Sequence, residues 1–184
     1  SEPAAAPRVL APRWMAEGTY VVTVVGTRAS TGSYGFKLWS ITEPQTFTIA
    51  IGDAVSDGLP VAGAGRIESP GAQDRYRFDV GPGGSSLYFE HLSDNCGCSW
   101  SLRPVSDPLQ PGFTPQSVFR FGSRLLAAGT YEFTVSAPSL LTGTYAFKLW
   151  AIPDAETFAI TLCQTISNGV PSAGAGNIES PAAR

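Results

Sequence analysis

Gly18-Thr19-Tyr20 and Thr31-Gly32-Ser33-Tyr34-Gly35-Phe36-Lys37-Leu38-Trp39 return as Gly129-Thr130-Tyr131 and Thr142-Gly143-Thr144-Tyr145-Ala146-Phe147-Lys148-Leu149-Trp150, each residue 111 positions later. Ala62-Gly63-Ala64-Gly65-Arg66-Ile67-Glu68-Ser69-Pro70 returns at the same offset as Ala173-Gly174-Ala175-Gly176-Asn177-Ile178-Glu179-Ser180-Pro181. From Arg13 onward about half of the aligned positions are identical, with no insertion. A period this long is far above the ~20–50 residues of a solenoid repeat and fits one independent domain per copy. The chain thus reads as a window on a tandem repeat. Residues 1–45 correspond to the closing half of a unit, 46–156 to a complete unit, and 157–184 to the opening strands of the next.

Within the quoted stretch Tyr34, Phe36 and Leu38 alternate with Gly35, Lys37 and Trp39, and the second copy splits the same way. Period two assigns a strand whose first set faces a core and whose Lys and Trp share the other face. Tyr20–Val25 is rich in β-branched residues and forms the other arm of a hairpin. Further strands are expected at Thr46–Ile51, Arg66–Glu68, Asp74–Val80, Ser86–His91, Ser99–Arg103, Val118–Phe121, Thr130–Val135, Tyr145–Ala151 and Thr157–Leu162. Asp74–Val80 alternates cleanly, with Tyr76, Phe78 and Val80 against Arg75, Arg77 and Asp79. No helix is expected. Short strands with turn punctuation mean an all-β fold, an antiparallel β-sandwich of jelly-roll type.

Composition narrows the function classes. Charged residues make up 15% of the chain, below the ~25% of an average soluble domain, and 20 Gly with 15 Pro supply many turns. Net charge is −3 with 12 scattered basic residues, which argues against a nucleic-acid surface. No stretch approaches the ~20 apolar residues of a membrane span. Ser1–Arg13 shows no apolar signal-peptide core.

Residues 54–152 resemble the bacterial pre-peptidase C-terminal domain. The likeness is carried by Gly65-Arg66-Ile67-Glu68-Ser69-Pro70-Gly71, Asp74-Arg75-Tyr76-Arg77-Phe78, Gly83-Gly84 before Leu87-Tyr88-Phe89, and Trp100-Ser101-Leu102-Arg103-Pro104. Ala128-Gly129-Thr130-Tyr131 and Gly143-Thr144-Tyr145-Ala146-Phe147 complete it. The resemblance implies a non-catalytic β-sandwich accessory, in tandem copies as in large secreted or surface bacterial proteins, and so a secreted or cell-surface location.

No constellation here supports catalysis. Gly63-Ala64-Gly65 lacks the third glycine and the helix of a dinucleotide loop, and reads as a turn. His91 is the only histidine, and no serine stands in a nucleophile elbow beside it. Neither a catalytic residue nor a cofactor site is expected. Glu68, Asp74 and Asp94 fall short of the six to eight oxygens that calcium takes. They are expected instead to cap turns or pair with Arg66, Arg75 or Arg77, and Arg75 and Arg77 to be solvated on the outer face. No metal site is expected. Cys96, Cys98 and Cys163 read first as free or crosslinking thiols, second as a local Cys96–Cys98 disulfide, and last as metal ligands.

Trp39 and Trp150, with Lys37 and Lys148 beside them, are the interface candidates. A Trp pointing away from the core marks a junction or a ligand platform. One stands at the end of each copy, which favours a junction between neighbouring units. The leading expectation is a structural or adhesive repeat module, a stalk or filament-forming spacer. Its partners are neighbouring units or other copies of the same chain, head to tail, without nucleic acid or membrane insertion. The alternative is an accessory module of a secreted hydrolase that binds polysaccharide or protein.

Overall fold

The computed structural model describes residues 13, 15–26, 31–106, 122–138 and 140–178. Nine strands are present among them: β1 (Gln45–Thr48), β2 (Ala54–Val55), β3 (Arg66–Ile67), β4 (Gln73–Val80), β5 (Ser85–Asp94), β6 (Ser99–Pro104), β7 (Gly122–Leu126), β8 (Gly129–Ser136) and β9 (Gly143–Ile152). They form one sheet in the order β1-β4-β8-β6 and another in the order β2-β9-β5-β7, with β3 also pairing β9. The architecture is the all-β sandwich expected. One pairing departs from the antiparallel rule, because β1 lies parallel to β4, Phe47 opposite Tyr76. That geometry needs a crossover, and the chain supplies it by passing through the other sheet as β2 and β3 before returning as β4.

Alternation dictates the core. Tyr76, Phe78, Phe133, Trp100 and Leu102 point inward from the first sheet, and Leu87, Phe89, Tyr145, Phe147 and Leu149 from the second; all are buried. Rings meet across the gap at 5.1 Å for Tyr76 and Phe147, 5.3 Å for Phe89 and Phe133, and 5.0 Å for Phe133 and Phe147, in edge-on or tilted pairs that the ring quadrupole favours. Trp100 stands edge-on to both Tyr145 and Phe147.

The glycine-rich loop has a steric reason. Gly65 adopts φ 74°, and a Cβ there would lie 2.2 Å from the Ser56 backbone. Gly176 repeats the situation against Ser167 at 2.5 Å. Both copies of the loop make the same bonds: Gly58 N–H to Ala64 O and Gly169 N–H to Ala175 O, each 2.8 Å. This turn is encoded locally, since it forms in both contexts.

Three expected strands do not form. Tyr20–Val25, Ser33–Ser40 and Thr157–Leu162 carry no strand. Their counterparts explain why. β8 lies between β4 and β6, while β9 lies against β5, β2 and β3. The counterpart of Thr157–Leu162, beginning with β1, needs β4. The expected hairpin is absent from the complete unit as well, because β8 and β9 lie in different sheets and do not pair, so their first-copy counterparts cannot support each other. Residues 1–17 and 163–183 hold no counterpart of β4, β5 or β6 to pair with them. Two short elements went unread, β2 and β7. The expected Val118–Phe121 strand lies outside the described residues.

Candidate interaction surfaces

The outer face of the β4-β8-β6 sheet carries a charge cluster centred on Glu132. Register places Arg77 and Arg103 on either side of it, on β4 and β6. Glu132 is buried, and each of its oxygens is taken. Oε1 accepts from Arg103 Nε at 3.1 Å and Nη2 at 2.5 Å; Oε2 accepts from Arg77 Nε at 3.2 Å and Nη2 at 3.1 Å. Burial opposes the charge, but the two arginines outweigh it and hold this carboxyl below its usual range. Arg77 is therefore engaged rather than merely solvated, contrary to expectation. Arg75 Nε stands 3.8 Å from Glu132 Oε1, beyond hydrogen-bond reach, and makes no hydrogen bond. Glu132 itself was missed from sequence, because a charged residue between Tyr131 and Phe133 reads as an ordinary outer position.

Beside the cluster lies a depression of about 350 Å³. It is lined by Gln73 and Arg75 of β4, Thr134 and Ser136 of β8, and Ser99, Ser101 and Arg103 of β6. Trp100 also borders it, although its ring belongs to the core.

A second polar group is internal. The Tyr145 hydroxyl donates to the Asp74 carboxylate and lies 2.7 Å from the Tyr76 hydroxyl, which in turn accepts the Gly65 N–H at 2.9 Å. Burial raises the Asp74 carboxyl to about 7, against the opposing Tyr145 bond. Burial likewise pushes both phenols up. Asp74 pairs with no arginine. Neither it nor Glu68, which accepts from Gln45 Nε2 at 3.4 Å, caps a turn. Asp94 does, accepting the N–H groups of Cys96 at 2.9 Å and Cys98 at 3.0 Å.

The cysteines are arranged otherwise than the leading reading held. Cys96 and Cys98 are joined as a disulfide and buried, while Cys163 is free and exposed. The turn is feasible because Gly97 takes φ 59° and the Asp94 carboxylate gathers both flanking N–H groups. Asp94, Cys96 and Cys98 form a tight group of potential ligand atoms, but the disulfide occupies both sulfurs. His91 sits within β5, edge-on to Trp100 at 6.2 Å.

Lys148 Nζ lies 3.6 Å over the Trp150 ring, and Lys37 Nζ lies 3.7 Å over Trp39. Trp150 Nε1 also donates to Glu90 Oε2 at 2.6 Å. One face of each indole thus has a cation over it, and Trp39 remains 46% exposed.

The largest apolar exposure belongs to the flanking segments. Tyr34 and Leu38 are 71% and 74% exposed, whereas their counterparts Tyr145 and Leu149 are both 0%. Ile160 is 62% exposed against 5% for Ile49. Val22, Phe36, Ile166 and Ile178 follow the same rule.

No family model matches this chain, and neither does any curated protein. Several solved structures are similar, among them the following two. One is the pre-peptidase C-terminal domain of a collagenase from Bacillus anthracis, 15% identical, covering 59% of this chain and 97% of its own, with a TM-score of 0.42. The other is PliG, a periplasmic inhibitor of g-type lysozyme from Salmonella Typhimurium, 15% identical, covering 58% and 97%, also at 0.42.

Proposed function

We propose that this chain is a non-catalytic structural module of a secreted or surface protein, in which like units follow one another at a period of 111 residues and complete each other's neighbours. The observation that carries the reading is the contrast between equivalent positions. Identical side chains such as Tyr34 and Tyr145 are open in the flanking segments and sealed in the central unit. An apolar face of that size needs a cover, and its pattern is already that of the sandwich interior. The partner chemistry is therefore another unit of the same repeat. A second copy of this chain covers the ends only in part, because residues 1–45 and 157–184 together lack counterparts of β4, β5 and β6. Joining them head to tail leaves the first sheet without β4 and β6 and the second without β5.

The test is a chimera in which residues 46–111 are followed directly by 1–45. It holds one full set of strands, with the first copy's segments in place of β7, β8 and β9. A second version carries Val21→Glu to restore the carboxylate opposite Arg77 and Arg103. Cooperative unfolding, with Tyr34 and Phe36 shielded from solvent, supports the reading. If 46–156 folds and both chimeras do not, the flanks are not parts of equivalent units.

A second reading, a ligand-binding accessory module, is favoured by the polar depression beside Glu132.

A further inference from the structure

We propose that the depression on the outer face of β4, β8 and β6 binds a carboxylate side chain of an extended acidic peptide, with Arg75 as its ion-pair partner. This rests on the ligand-binding reading and names its chemistry. Three guanidinium groups surround one carboxylate, and that carboxylate is used up by Arg77 and Arg103. Arg75 Nε is left buried without a hydrogen bond, on the wall of the depression. An unmade charge-assisted bond at a partly dry site is costly, and an incoming carboxylate oxygen supplies the missing acceptor. No acidic residue lines the depression; Asp79, farther along β4, accepts from the Thr130 hydroxyl.

The lining also selects the ligand's class. Hydroxyls of Ser101 and Thr134 can donate to a second carboxylate oxygen, Ser99 being bonded to Ser136, while no aromatic face is presented for a sugar ring. The volume suits one side chain rather than a long oligomer. β6 ends the sheet, with no described strand along its free edge. A peptide pairing there places alternate side chains over the face that carries Ser101 and Arg103. The repeat adds an independent point. Val21 and Val25 stand where Glu132 and Ser136 stand, so this carboxylate and this hydroxyl are particular to the central unit and not part of the repeat's common sequence.

The experiment titrates the full chain with hexaglutamate at low salt, following backbone amide shifts. Hexalysine, a sulfated oligosaccharide and sodium acetate serve as comparison probes. Hexaglutamate should bind with shifts concentrated at 99–103 and 134–136, and Arg75→Gln should weaken it at least tenfold. Ser101→Asp, which fills the depression with a fixed carboxylate, should abolish binding and keeps the test decisive if the arginine variant misfolds. Tighter binding of the sulfated oligosaccharide, equal shifts with acetate alone, or hexaglutamate binding indifferent to both variants overturns the proposal. None of these outcomes touches the flanking segments, so the structural reading stands or falls separately.

Discussion

Tyr145 donates its hydroxyl to Asp74 across the centre of the sandwich, tying the closing strand of one sheet to the entry of a strand in the other. Asp74 is the buried acid on which both phenols depend, and it sets the pH response. Its carboxyl is raised by burial to about 7 in the folded chain, from 3.8 when free. Below pH 4 the group is protonated in both states and its contribution to stability is full. Between about pH 4 and 7 the unfolded chain is ionised while the folded one stays protonated, so stability falls, by roughly 4 kcal/mol at most, and levels off once both ionise above 7. Urea midpoints should decline between pH 4 and 8 in the wild type and stay nearly flat for Asp74→Asn. A wild-type midpoint that rises over this window would refute the assignment. Glu68 is the other charge acting on Asp74, and it raises the value further.

Phe147 packs its ring against Tyr76, Trp100 and Phe133 at 5.0–5.6 Å. Phe147→Ala should lose about 3–5 kcal/mol in a denaturant titration, the transfer of the ring plus the cavity it leaves. A loss under ~1 kcal/mol would mean that the inward face is misassigned.

Glu132→Val should lose about 2–3 kcal/mol, because three arginines then face one another without a counter-charge. The arginines are a third to a half exposed, so water softens the loss. Thermal denaturation of the variant against Glu132→Gln separates charge from shape: Gln should recover part of the midpoint and Val none.

Thiol labelling is equally direct. Native chain should take up one equivalent of maleimide, at Cys163. Cys96 and Cys98 should react only after reduction in denaturant. Three equivalents on native protein would show that the 96–98 bond is absent.

The core was legible in the sequence because period two fixes which side chains share a face. Tyr76, Phe78, Leu87, Phe89, Phe133, Tyr145, Phe147 and Leu149 all lie where alternation puts them. Pairing partners were not legible. The Tyr20–Val25 pattern is as good a strand pattern as Thr130–Val135, yet only the second finds β4 and β6 beside it. Local pattern gives propensity, whereas strand formation needs a neighbour. The Glu132 cluster was hidden for a related reason. Arg77, Arg103 and Glu132 are far apart in sequence and meet only once register is set.

The strand order has a consequence for synthesis. β9, the last strand of the unit, pairs with β2 and β3 from its beginning and with β5 from its middle, and β8 reaches back to β4. No two-sheet subset closes before these final strands are available. On the ribosome the nascent unit must therefore wait, open and aggregation-prone, until Ile152 has cleared the exit tunnel, and it then collapses slowly because nearly all of its pairings are distant in sequence.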